Sequence, residues 1–205
     1  MEHRRADRIA GSALIGAAAA SVLAMAHHPT DAHAGALGAL VHGTMIAILM
    51  VTAFGFAHFA LRRGARRPAI LAGAVAYAVS VVVTIGAATI NGFVVTALAA
   101  RGVTDHDLFL FAWEANQALA RLGVYATAAA FAFWSLDFLR RPGAEAKAIG
   151  ALGLLAGPGV AALLAAGAIR MDVAGAGLAY AAFALWGVAV GAHLIRGKLE
   201  ADGAS

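Results

Sequence analysis

The sequence predicts an all-α, polytopic integral membrane protein with six transmembrane helices and both termini cytoplasmic. Three observations carry this. Hydrophobic residues make up 62% of the 205-residue chain and charged residues only 13%, far from the balance of a soluble domain. The apolar residues fall into six long runs. Twelve of the fifteen Lys and Arg residues lie in alternate gaps between those runs. The basic clusters are Arg4, Arg5 and Arg8; Arg62, Arg63, Arg66 and Arg67; Arg140, Arg141 and Lys147; and Arg196 with Lys198. Basic loops stay on the cytoplasmic side of a bilayer, so this asymmetry sets the orientation.

The spans read as residues 9–26, 36–61, 69–99, 108–139, 148–169 and 174–195, forming one six-helix transmembrane domain over 1–205. Each reaches or approaches the ~20 apolar residues that a bilayer core requires. The first follows a basic segment and ends in Ala24-Met25-Ala26, which also resembles a cleavable signal. Its apolar run exceeds the usual length of such signals, and a retained anchor is the expectation. The third and fourth exceed the required length by about ten residues and should tilt or project. Arg67-Pro68 starts the third, and Arg141-Pro142-Gly143 stops the fourth. Gly157-Pro158-Gly159 should kink or break the fifth, because proline removes a backbone donor. Gly187 and Gly191 in the sixth form a G-x-x-x-G pattern for close helix contact.

Composition also excludes. With no cysteine, disulfides and thiolate metal sites are absent. The net charge of +4 sits beside helix ends, where topology and anionic headgroups explain it, so no nucleic-acid partner is expected. The lipid bilayer is the expected partner, with a homo-oligomer or a larger membrane complex alongside it.

Two polar sets need an account. Glu114, Gln117, Arg121 and Tyr125 recur at i, i+3, i+7 and i+11 on one face of the fourth span. Ionisable groups within a span are costly in lipid, so this face should point into the bundle or a wet cavity. Tyr77, Ser80, Thr84 and Asn91 form a matching stripe on the third span. Joined by a short loop, the third and fourth helices should be antiparallel neighbours. Asn91, Glu114, Gln117, Arg121 and Tyr125, with Tyr77 and Thr84, are thus a candidate polar core. The alternative is a hydrogen-bond network that only fixes helix register.

The second set is histidine. His27, His28 and His33 crowd the first outer loop, His42 begins the second span with Met45 one turn deeper, and His106 lies in the second outer loop. Five of the eight histidines are therefore expected on the outer side. Imidazole with carboxylate or thioether suits Cu, Zn or Fe, and His27, His28, His33, His42, His106 and Met45 are the candidate metal ligands. One haem b on His42 is the other cofactor considered. A two-haem relay through His42 and His58 is not expected, because sixteen residues leave their rings about 160° apart around the helix. Trp113, Trp134 and Trp186, with Phe56, Phe59, Phe109, Phe111, Phe131 and Phe133, are read as an interfacial aromatic belt. Asp137 is read as an ion pair with Arg140 and Arg141.

The functional expectation is a metal- or haem-binding protein of a bacterial-type inner membrane, engaged in redox chemistry or metal handling. Two other classes compete. One is a small proton- or cation-coupled transporter or channel using Glu114 and Arg121. The other is a structural or assembly subunit of a larger membrane complex.

Overall fold

Six helices, each long and apolar enough to cross a membrane, make up the computed structural model, which describes residues 2–28 and 35–197. They are α1 (Glu2–Ala26), α2 (Ala36–Arg63), α3 (Pro68–Ala100), α4 (His106–Leu139), α5 (Ala144–Ala165) and α6 (Val173–Ile195). Many large apolar side chains face outward, among them Leu23, Leu40, Leu61, Val82, Phe111 and Leu155. A soluble protein rarely leaves so much apolar surface open, whereas lipid covers it without cost.

Two helices change pitch. The π-turn Ile90–Val94 interrupts α3, and Leu155–Gly159, which contains Pro158, interrupts α5. The Gly-Pro-Gly segment thus yields a π-turn within a continuous span, since the wider turn accommodates the missing proline N–H. The fifth span is shifted from 148–169 to Ala144–Ala165. Glycine sets both limits: Gly143 (φ 96°) and Gly167 (φ 71°) hold left-handed backbone on either side of the helix. The first helix starts seven residues before the expected 9, at Glu2. It carries one charge, Asp7, into the bundle, where it is only 1% exposed.

α3 and α4 pack along one another as antiparallel neighbours, and α1 packs against α2 and α6. Gly191 meets Gly11 so closely that a Cβ on either would strike the other's backbone oxygen, whereas Gly187 has only Phe56 at 4.0 Å. Of the G-x-x-x-G pair, Gly191 therefore serves contact within the bundle.

The core is aromatic. Phe56 stacks on Trp134 and on Trp186, each with ring centroids 5.4 Å apart, and Phe59 stacks on Phe138 at 5.6 Å. Trp134 donates to the Ile70 carbonyl and Trp186 to the Ile149 carbonyl. Satisfied indole N–H groups let both rings be fully buried. The interfacial belt expected of these residues is thus corrected for Trp134, Trp186, Phe56, Phe59 and Phe131, all of which are buried. They lie on helix faces that meet other helices, and position along the chain does not reveal facing.

Ion pairs close one end, here called the arginine end. Asp137 accepts from Arg63 at 2.6 Å, lies 3.0 Å from Arg67 and accepts from Arg141 at 3.4 Å. The expected pairing with Arg141 is present, and Arg63 from α2 takes the closest position. Its guanidinium also lies 4.6 Å from the Phe138 ring centroid. Asp7 bonds His58 at 2.8 Å and Arg62 at 2.9 Å. His193 and Arg196 meet Glu145.

Candidate functional site

At the opposite, histidine end, a cavity of about 220 Å³ opens among five helices. Its mouth is polar: His28, His42, Asn91, Asn116, Gln117 and Asp172 line it. Its floor is Phe56, Tyr77 and Phe131, the upper surface of the aromatic core. Ser80 and Thr127 bond each other at 2.6 Å along its wall, and Ser80 also donates to the Gly123 carbonyl.

The stripe expected on α3 lines this cavity in full: Tyr77, Ser80, Thr84 and Asn91. The α4 stripe divides. Gln117 is buried and donates to the Met171 carbonyl at 3.0 Å. Glu114, Arg121 and Tyr125 are exposed and outside the cavity. The expectation that this whole face turns inward is corrected, and helix geometry gives the reason. At about 100° per residue, Glu114, Arg121 and Tyr125 fall within about 40° of one another, and Gln117 lies about 60° from Glu114. That offset leads toward the buried face defined by Ala120, Val124 and Phe131. Depth removes the need for burial. Glu114 lies twenty-three residues, about 35 Å of helix, from Asp137. A bilayer core is ~30 Å thick, so in a bilayer with one boundary at Asp137 Glu114 would lie clear of it. Arg121, about 24 Å from Asp137, would be close enough to the other boundary for its long side chain to reach polar surroundings.

The histidines also divide. His27 is exposed, its Nδ1 2.9 Å from the Leu23 carbonyl. His106 is exposed in the first turn of α4, beside the capping Asp105. His33 lies outside the described residues. Only His28 and His42 come together, with Met45 lining the same cavity. Among the described residues no three His, Cys, Asp or Glu side chains are grouped to hold a metal ion.

His42 is held firmly. Its ring is buried, and Nδ1 lies 2.8 Å from the Gly38 carbonyl one turn earlier in α2. A carbonyl only accepts, so Nδ1 carries the proton and Nε2 presents its lone pair. Two donors converge on that lone pair: Asn91 Nδ2 at 3.2 Å and His28 Nε2 at 3.4 Å. The two rings meet edge to face, with centroids 4.9 Å apart. Gly92 permits this approach, because a Cβ there would run into the His42 side chain. Asn91 and Gly92 both belong to the α3 π-turn, and π-turns recur at functional sites.

Sequence reasoning grouped His28 and His42 in one candidate ligand set without singling out the pair, and it missed the role of Asn91 beside them. It also missed the Asp7 cluster and Arg63. One signal was available: a charged residue with apolar neighbours on its helix face, as at Asp7, needs a partner on another helix.

Fold and site together define a six-helix bundle of membrane-crossing character with a one-ended cavity and a histidine pair at its mouth. Comparisons with protein families, curated proteins and solved structures give no match.

Proposed function

We propose that the chain is a multi-pass membrane protein that binds a transition-metal ion between His28 and His42, handling metal at the membrane face where the cavity opens. One observation carries the reading: the two Nε2 atoms lie 3.4 Å apart. With metal–nitrogen bonds of about 2.0–2.1 Å, two nitrogens on a tetrahedral ion are about 3.3–3.4 Å apart. The Gly38 carbonyl supports it, because a backbone acceptor on Nδ1 orients a ligating imidazole and raises its basicity.

The same distance favours a bare ion over haem. Two imidazoles on opposite faces of a haem iron would stand about 4 Å apart with such bonds, and these rings are bent toward one another. The arginine end suits the cytoplasmic face of an inner membrane, which directs the cavity outward. The transporter reading loses its support at Glu114 and Arg121, which face away from the cavity. Assembly with copies or partners has no particular face to argue from, as Gly191 is engaged with Gly11.

Elemental analysis of the detergent-purified chain, per polypeptide, tests the proposal. Near-stoichiometric Cu, Zn or Fe that disappears in His42→Ala is expected. Folded protein that takes up none of these metals when they are supplied would overturn it.

A further inference from the structure

Resting on that metal-binding reading, we infer that the ion is monovalent copper, bound by His28 and His42 with thioethers from Met25 and Met45. Four methionines fall among the described residues. Met25, Met45 and Met171 line the cavity, and the fourth, Met50, is 57% exposed. Two of the three stand three residues from an imidazole of the pair. Met25 lies in the last turn of α1, three residues before His28, which follows the helix, and on α2, which runs the other way, the order is His42-x-x-Met45. Met45 therefore lies one helical turn deeper than His42, about 4.5 Å along the axis, and Met25 lines the same cavity. The two segments together bring two imidazoles and two thioethers to one cavity.

Methionine alone would be unremarked, since it fills gaps in any core. Two independent features choose the ion. The first is softness: thioether with imidazole selects Cu(I), whereas zinc sites are built from thiolate, imidazole and carboxylate. The second is charge. His28, His42, Met25, Met45 and Asn91 are all neutral donors. Asp172, the one carboxylate among the described residues that lines the cavity, uses an oxygen to cap the Gly175 N–H of α6 at 2.9 Å. Asp105, Asp107 and Glu114 are exposed and do not line it. An ion whose donors are all neutral carries a solvation cost that grows with the square of its charge. A monovalent ion thus costs about a quarter of what a divalent ion of the same size costs.

Binding requires no redox step. Cu(I) enters as Cu(I), displaces the N–H···N contact between the rings, and the His28 proton resides on its other ring nitrogen.

The test uses the full chain in detergent, titrated anaerobically with Cu(I) against a chromogenic Cu(I) chelator, and separately with Ag(I) and Zn(II). One Cu(I) per chain is expected, displaced by Ag(I) and undisturbed by equimolar Zn(II). Met25→Leu with Met45→Leu keeps the volume and should weaken Cu(I) about tenfold or more, the scale on which changes around a metal act. His42→Ala should abolish binding. Thermal unfolding of each variant confirms that it is folded. If Zn(II) binds as tightly as Cu(I), or the double Leu variant keeps its Cu(I) affinity, the copper assignment fails and the histidine site stands. If no metal binds the folded native chain, the underlying reading fails as well.

Discussion

Asp137 holds three arginines at once, and its loss would leave Arg63, only 4% exposed, as a buried charge without its closest counter-ion. Breaking a buried pair from one side typically costs about 3–5 kcal/mol. Asp137→Ala should therefore lower the denaturation midpoint in detergent by a large margin. Arg67→Ala removes a partner whose side chain is 53% exposed, and should cost about 1 kcal/mol or less. Equal losses in the two variants would show that the cluster does not depend on burial. At the mouth of the cavity, Gly92→Ala should lower both metal affinity and the unfolding temperature, because the new Cβ would run into the Cβ of His42, which cannot swing aside. Residue by residue, legibility was uneven. The α3 stripe was readable because four polar side chains on a narrow arc of an otherwise apolar helix have to face something. Glu114 and Arg121 show the same periodicity, yet both face outward. Spacing fixes a common face, and only depth and packing fix where that face points.

On the scale of elements, the pitch changes matter most. The π-turn of α3 places Asn91 on His42 and Gly92 against its ring. Deleting Phe93 would restore regular α-helix and remove the wider turn that sets Asn91 and Gly92 against His42. The expected outcome is unchanged helicity by circular dichroism with metal affinity lost. Retained affinity would mean that the turn is incidental. The α1–α6 seam offers a second check. Gly191→Leu must drive a side chain into the Gly11 backbone, and overpacking of that kind costs about 1–3 kcal/mol or more. Gly187→Ala, facing open space next to Phe56, should be tolerated when both are compared by thermal unfolding. Helix number and most helix limits were legible, because apolar runs, Arg-Pro and Gly signals mark them locally. The fifth helix was misplaced by four residues, since its Ala- and Gly-rich flanks carry no hydropathy step at the true ends. The π-turns were not legible at all, as their wider hydrogen bonding leaves no simple periodic trace.

For the whole molecule, alternate ends of the helices should lie on opposite sides of the bilayer. The chain contains no cysteine, so single-cysteine variants report cleanly. Thr104→Cys at the histidine end and Ala65→Cys at the arginine end should react with a membrane-impermeant maleimide from opposite sides of sealed vesicles. Labelling of both from one side would overturn the six-span arrangement. α1 is integral to this arrangement. Ala10 and Leu14 are buried in the central apolar cluster, and Asp7 joins α1 to His58 and Arg62 of α2. Removal of residues 1–26 should therefore prevent stable folding, read as loss of monodisperse protein in detergent.

The one-ended cavity has an electrical consequence. Each 100 mV across a membrane is worth about 2.3 kcal/mol per elementary charge that moves through the whole field. Where a cleft admits water from one side, the field falls across the insulating layer that remains. With this chain in a membrane, that layer would begin at the Phe56, Tyr77 and Phe131 floor and end at the Asp7 and Asp137 clusters. An ion resting between His28 and His42 would sit above the layer, near the potential of its own side. Its occupancy would then follow local concentration and ignore the membrane voltage.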